Sequence, residues 1–272
     1  MKVTYILYLV ILFFTISCKE SSDNKVTTNR PEVIKLGPAK TDSKYLLNPP
    51  KSDTLCISDV ERAKRDIDKY GKLFIRTICF GCDAKPFQAE IEEVLKKKKI
   101  KEVIEDIGCV VFEGQTQGCY SDFIILKMKE LYGENYFSTI EKEAESIFIK
   151  NITENNKIVS VYDLEDNEKP KIISKKVNIE SDYYTTVKVN LPVKIDSHKF
   201  LFADVTFIIE KDGTINNLSV ENWVNDAISD KFKNELISFT LKTLKQDYNH
   251  WNPGKYKGNI IRTENTLRVN FE

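Results

Sequence analysis

Histidine is nearly missing from this chain: His198 and His250 are the only two in 272 residues, and no cysteine stands near either. Zinc and haem sites draw on imidazole and thiolate at short spacing, so no metal and no cofactor is expected. Charge of one sign is also missing. Forty-one basic and 41 acidic side chains cancel, which removes the broad positive field that holds nucleic acid. No apolar run reaches the roughly 20 residues of a membrane-spanning helix. There is no phosphate-cradling glycine loop, no Gly-x-Ser-x-Gly elbow and no internal repeat. No catalytic constellation stands out, and the expectation is a binding protein rather than an enzyme.

The N-terminus reads as a secretion signal over residues 1–17. Lys2 supplies the charged start, and Tyr5 to Phe14 is an uninterrupted apolar and aromatic run. Thr15-Ile16-Ser17-Cys18 resembles a bacterial lipobox. That resemblance implies diacylglycerol on the Cys18 sulfur, cleavage before it and acylation of the new amine, a stable membrane anchor. Lys19 follows the cysteine where inner-membrane retention would call for Asp, which favours the outer membrane. Residues 18–55 are rich in Ser, Asn, Thr, Lys and Pro and read as a disordered tether. Asp53-Thr54-Leu55 also resembles a short O-glycosylation acceptor of Bacteroidetes.

Residues 56–150 read as a cysteine-containing module. Lys72–Ile78 is strand-like. Asp83 and Pro86 open a helix with Phe87, Ile91, Val94 and Leu95 on one face, and Lys96–Lys99 close it where the helix dipole favours cations. A strand is expected at Cys109–Phe112, then helices over Tyr120–Leu131 and Tyr136–Lys150. Cys109 and Cys119 flank a loop containing Gly114 and Gly118, and their pairing is expected. Cys79-Phe80-Gly81-Cys82 sits between strand and helix, where a helix N-terminus lowers a thiol pKa. It reads either as a redox pair or as the source of a structural bond to Cys56. The region lacks a later proline and the usual Trp before the first cysteine, which favours the structural bond. Gly108-Cys109, Cys119-Tyr120 and Tyr132-Gly133 are similar to a flavobacterial domain named for a Phe-Glu-Lys-Lys-Tyr motif. That motif is not present as written, and the resemblance implies no function.

Residues 151–185 are polar, carry Pro170 and read as a connection. Thr186–Ile195 alternates, with Val187, Val189, Leu191, Val193 and Ile195 on one face. Pro192 makes it an edge strand added to the C-terminal sheet.

The last stretch reads as strand, turn, strand, helix, strand. Leu201 to Glu210 alternates apolar and polar positions, and Asp212-Gly213 marks a hairpin turn. Leu218 and Val220 continue the alternation. Phe232, Leu236 and Phe239 recur at helical spacing. Leu267, Val269 and Phe271 then share one strand face, with Arg268 and Asn270 outward. Val205–Gly213, Leu218–Val220, Trp251-Asn252-Pro253-Gly254-Lys255, Gly258 and Leu267–Phe271 together resemble the TonB C-terminal domain. The resemblance covers about a quarter of the chain. It implies a three-stranded sheet with one helix, in which a partner's extended peptide adds to the exposed last strand. Here that edge would be Ile261 to Phe271, including Arg268 and Asn270. The implied partner is the plug segment of an outer-membrane TonB-dependent receptor, bound without energy transduction, because a lipid-anchored chain has no helix to couple to a proton-driven motor.

The expected fold class is α+β: a small cysteine-containing α/β module followed by a TonB C-terminal-like antiparallel sheet with one packed helix over residues 186–272. The expected place is the periplasmic cell envelope, tied to the membrane by the lipid anchor. Two other functions stay open, a thiol–disulfide oxidoreductase using Cys79 and Cys82, and a self-associating envelope-structural lipoprotein.

Overall fold

One buried carboxylate organises the first helices. In the computed structural model, which describes residues 42–79, 85–108, 110, 113–173, 184–187, 201–224 and 229–271, α1 (Ser43–Leu47) is followed by α2 (Thr54–Tyr70). Asp53 caps α2 and is fully buried. Its Oδ1 accepts the Cys56 and Thr116 N–H groups at 3.0 and 3.2 Å, and its Oδ2 accepts the Tyr45 hydroxyl at 2.6 Å. Burial pushes this carboxyl up, but the donors outweigh it and hold it below the usual range. Residues 42–55 are therefore not the tether expected from composition: α1 buries Leu46, and the acid of Asp53-Thr54-Leu55 is a helix cap.

A βαβ unit follows. β1 (Leu73–Cys79), α3 (Gln88–Lys98) and β2 (Lys101–Ile107) place two parallel strands in register from Leu73 opposite Lys101 to Cys79 opposite Ile107. Phe87, Ile91, Val94 and Leu95 are all buried, as the helical period predicts. Lys99 ends α3 in the left-handed conformation at φ 55°. The second strand begins earlier than expected, and Cys109, Val111 and Phe112 lie outside the described residues. α4 (Cys119–Tyr132) and α5 (Tyr136–Thr153) complete this half. Leu73 and Ile75 pack with α2 and α4, while Phe74 packs with α3 and α5, so the strand pair is covered on both faces. Buried Glu105 on β2 accepts the Ser121 N–H at the start of α4 (3.0 Å), and burial pushes its carboxyl up.

Cys119 is bonded to Cys56, not to Cys109. The bridge joins the first turns of α2 and α4 at a Cα separation of 5.2 Å, and both cysteines are fully buried. The glycines of the intervening loop suggested a short closure. The first turn of α2 supplies the partner instead, and Cys56 is therefore not bonded to Cys79 or Cys82 as expected. A closed loop of this length contributes on the order of 4 kcal/mol in the chain-entropy account.

The second half is a sheet built on the last strand. β3 (Ile158–Ser160) and β4 (Lys171–Ile172) are short, and β5 is described over Tyr184–Val187; β6 (Phe202–Ile209) and β7 (Ile215–Val224) form the hairpin. α6 (Lys233–Asp247) leads to three two-residue strands, β8 (Trp251–Asn252), β9 (Lys255–Tyr256) and β10 (Asn259–Ile260), and then to β11 (Arg262–Phe271). β11 and β7 flank β6, both antiparallel to it. α6 covers the face of Ala203, Val205, Phe207, Leu267 and Val269. Its inward stripe is Leu236, Thr240 and Leu244; Phe239, expected inward, is 42% exposed. β4 pairs β8.

The core does not divide near residue 150. Tyr256 and Ile261 pack with Ile140, Ala144 and Phe148 of α5. The Tyr256 ring meets Phe148 edge-on at 5.0 Å, and its hydroxyl donates to Glu145 at 2.7 Å. All described residues fall in the compact unit 38–272. No helix among them is long and apolar enough to cross a membrane.

Cys56→Ser and Cys119→Ser are each expected to destabilise the protein by about 2–5 kcal/mol in urea unfolding, with the double variant no worse than either. Additive losses would show that the two are not bonded to each other.

Candidate functional site

The most specific motif residues hold the fold. Asp212 Oδ1 accepts the Thr214 N–H at 2.9 Å and its hydroxyl at 2.7 Å, which holds the Asp212 carboxyl below its usual range. Gly213 sits at φ 84°, and a Cβ there would lie 2.1 Å from the Trp251 carbonyl oxygen. The Trp251 N–H donates to the Gly213 carbonyl at 2.9 Å. Both conformation and contact therefore require glycine at 213. Trp251 is 2% exposed, donates from Nε1 to the Tyr248 carbonyl at 2.7 Å and packs 5.6 Å from the Phe207 ring. A Cβ on Gly254 would meet Thr263 at 2.5 Å. Pro253 is half-buried beside it, and Gly258, at φ 81°, donates its N–H to Glu168. These six residues build the hairpin turn and the step into β11.

β11 is not an exposed edge. β6 pairs one side from Thr263 to Asn270. On the other side β3 pairs Arg262–Glu264 and β5 pairs Arg268–Phe271, both parallel. Ile261 is fully buried and Phe271 is 6% exposed. Thr186–Ile195, expected as the added edge strand, is described only through Val187, and that part belongs to β5.

The long edge strand of this sheet among the described residues is β7, which pairs only with β6, while on the other side β3 and β5 pair only with β11. The register of β7 shifts twice. Glu221 has no partner between Val205–Val220 and Asp204–Asn222, and one residue is extra between Ser219 and Asn216, where Asn217 takes φ 50°. These bulges keep Ile215, Leu218, Val220 and Trp223 on the α6 side at a spacing that breaks period two. Nothing in the sequence reading pointed to this strand as an edge. The one available signal was that broken spacing.

The sheet face away from α6 is a ladder of polar pairs. Arg268 holds Asp204 in a bidentate pair at 2.8 and 3.0 Å, with its guanidinium 3.9 Å over the Phe202 ring. Asn222 donates to the same carboxylate at 3.3 Å. Thr206 and Thr266 share a hydrogen bond at 3.0 Å. Arg262 holds Glu210 in a second bidentate pair, both contacts at 2.7 Å. The Arg268 hydrogen bond lowers the Asp204 carboxyl and Arg262 does the same to Glu210, each against a smaller opposing push from burial. Arg268 and Asn270 do face outward, as the alternation predicts.

Cys79 ends β1 and is disulfide-bonded; its partner lies outside the described residues, as do Cys18, Cys82 and Cys109. Cys79 lines a cavity of about 260 Å³ with Phe74, Arg76, Lys85, Gln88 and Ile91. Arg76 and Gln88 donate to Glu102 at 2.9 and 3.0 Å, and Lys85 pairs with Glu141. Each cation at this cavity thus faces a carboxylate. His250 is exposed, with its carbonyl accepting the Ile173 N–H at 3.0 Å; His198 lies outside the described residues. Among the described residues no group of His, Cys, Asp and Glu is placed to hold a metal ion.

A lowered carboxyl stabilises the fold above its ordinary range and loses that contribution as pH falls through the lowered value. Asp204→Asn should therefore lose stability relative to the parent at about pH 7, and the gap should narrow as pH falls below the ordinary carboxylate range and through the lowered value. Urea unfolding across that acid range checks this; a constant gap would mean that Asp204 does not gain from its pairing.

No protein-family model, no curated protein and no solved structure matches this chain.

Proposed function

We propose that this chain is a lipid-anchored periplasmic lipoprotein of the cell envelope that binds other proteins by strand addition, without itself transducing energy. The observation that carries the reading is β7: ten residues paired on one side only among the described residues. Glu221 is its only charged residue, and it holds neither proline nor lysine, the usual guards of a sheet edge. The two bulges twist the strand and work against flat pairing of two copies, so a short foreign peptide is favoured over self-association. The resemblance to the TonB C-terminal domain supplies the partner class, the plug segment of an outer-membrane receptor. The recognition edge proposed here is β7, in place of the closed β11.

A second reading has one observation in its favour. Cys79 ends a parallel strand, α3 follows, and a cavity opens beside it. A thiol–disulfide oxidoreductase would use that cysteine with Cys82. Thiol counts under mild reduction separate the readings: a redox pair cycles, and a structural bond resists.

Alternation away from the Ser219 and Asn222 pairs turns the Val220 N–H outward from β6. Val220→Pro removes that donor, while Val220→Ala removes comparable packing and keeps it. Receptor plug peptides, followed by fluorescence anisotropy, should bind the parent and the Ala variant alike and the Pro variant at least about tenfold more weakly, a loss of about 1.4 kcal/mol. Equal binding to all three would rule out addition at β7. For the anchor, Cys18→Ser should leave an unprocessed, unacylated precursor. A variant that still enters detergent at the mature mass would remove the lipoprotein reading.

A further inference from the structure

One end of the βαβ half collects lysines and exposed rings. α2 ends at Tyr70 and α4 at Tyr132, while β1 and β2 begin at Leu73 and Lys101. The Leu73 N–H donates to the Met128 sulfur at 3.3 Å, and the Lys72 carbonyl accepts the Lys101 N–H at 3.0 Å, so these ends share one surface. The Lys69 and Lys101 ammonium groups stand 4.8 and 6.0 Å from the centre of the Tyr70 ring, and that of Lys72 stands 5.4 Å from the centre of the Tyr132 ring. Lys99, in the left-handed conformation, adds a fourth lysine two positions before Lys101. All four lysines are exposed, and none is in an ion pair among the described residues.

Helix chemistry accounts for part of this. A lysine in the last turn of a helix suits the macrodipole, which covers Lys69. It does not cover Lys72 and Lys101, which belong to the strand starts, nor the apolar surface beside them: Tyr70, Leu131 and Tyr132 are 39%, 60% and 41% exposed. The carboxylates of these turns do not cancel the lysines. Glu130 pairs with Lys127, Glu134 pairs with Lys129, and Asp66 accepts the Tyr120 hydroxyl, which leaves Asp68. Lysine over an exposed tyrosine, with a leucine at the rim, suits the headgroup layer of a bilayer: ring and stem enter the apolar boundary and the ammonium meets phosphate. The course of the chain points the same way. Asp42, the first of the described residues, lines a cavity with Lys129 and Glu134 at the end of α4. Cys18 lies 24 positions earlier, so the covalent path from an acyl anchor enters the fold at this end.

We propose that this surface, formed by Lys69, Tyr70, Lys72, Lys99, Lys101 and Tyr132, lies against the anionic phospholipid headgroups of the membrane that holds the anchor. The proposal rests on the lipoprotein reading. The attraction of each lysine to anionic lipid falls off within a Debye length, so it acts once the anchor holds the surface at the bilayer. The anchor supplies the local concentration, and the lysines and rings supply an orientation that an acyl chain on a tether does not.

The test uses the full mature chain reconstituted into vesicles whose lipid tails carry bromine, a quencher of indole fluorescence. Tyr132→Trp places the reporter in the surface. Tyr162→Trp, at a 69% exposed site after β3, is the control. In vesicles of phosphatidylglycerol and phosphatidylcholine, the indole at position 132 should be quenched and the indole at position 162 should not. Quenching at 132 should be lost in phosphatidylcholine alone and at about 1 M salt, where the Debye length is about 3 Å. Adding Lys69→Glu, Lys72→Glu and Lys101→Glu should abolish it as well. Equal quenching at the two positions, or quenching at 132 that ignores lipid charge, salt and the three substitutions, would overturn the proposal. The lipid and salt comparisons change no lysine, so they decide the matter even if the triple variant loses its near-ultraviolet dichroism. Mass spectrometry of the same sample separates this proposal from the reading it rests on. An acylated chain unquenched at 132 ends this proposal and leaves the anchor, while an unacylated chain removes the anchor and this proposal with it.

Discussion

Everything in the C-terminal half, and part of the N-terminal half, depends on β11 being paired on both sides. Its ten residues alternate cleanly. Thr263, Asn265, Leu267, Val269 and Phe271 are buried on one face, and Arg262, Thr266, Arg268 and Asn270 stand on the other. The antiparallel partner β6 brings the hairpin and α6. The parallel partner β3 brings the chain leaving α5. Ile261, one residue before β11, is buried among α5 side chains. A strand used in this way cannot also offer an edge, so recognition by strand addition moves to β7.

Two local fixtures hold that arrangement in place. At one end, Gly213 and Trp251 exchange a backbone contact too close for any side chain at 213, which pins the hairpin turn to the step into β11. In the other half, Asp53 and the Cys56–Cys119 bridge tie the first turns of α2 and α4 to the loop before α4. On the open sheet face, two bidentate arginine–carboxylate pairs join β11 to β6 and to the residue that follows it. Those pairs are partly solvated, so they contribute to register more than to stability.

Much of this was legible from residues, and the failures have physical reasons. The α3 stripe and the Asp212-Gly213 turn follow from period and turn chemistry. α2 was missed because its inward face is thin: Cys56, Val60 and Ala63 are its buried residues, in a heavily charged stretch beside the polar N-terminal segment. Missing α2 in turn misassigned the partner of Cys119. Thr240 rather than Phe239 faces the sheet because it continues the line of Leu236 and Leu244. The closed state of β11 was illegible because β3 and β5 lie about 80 to 100 residues earlier in sequence, and β3 is only three residues long. Such short parallel pairings leave no local pattern. The bulges of β7 were visible only as apolar residues at 215, 218, 220 and 223, a spacing that fits no single period.

The central claim is that β7 is open while β11 is closed, and residue-resolved amide hydrogen exchange tests it most directly. The account predicts that Leu267, Val269 and Phe271, whose N–H groups face β6, exchange only with global unfolding, whereas the outward Val220 amide exchanges without it. A Val220 amide as protected as Val269 would contradict the account, because it would mean that β7 is already covered and offers no edge to a partner.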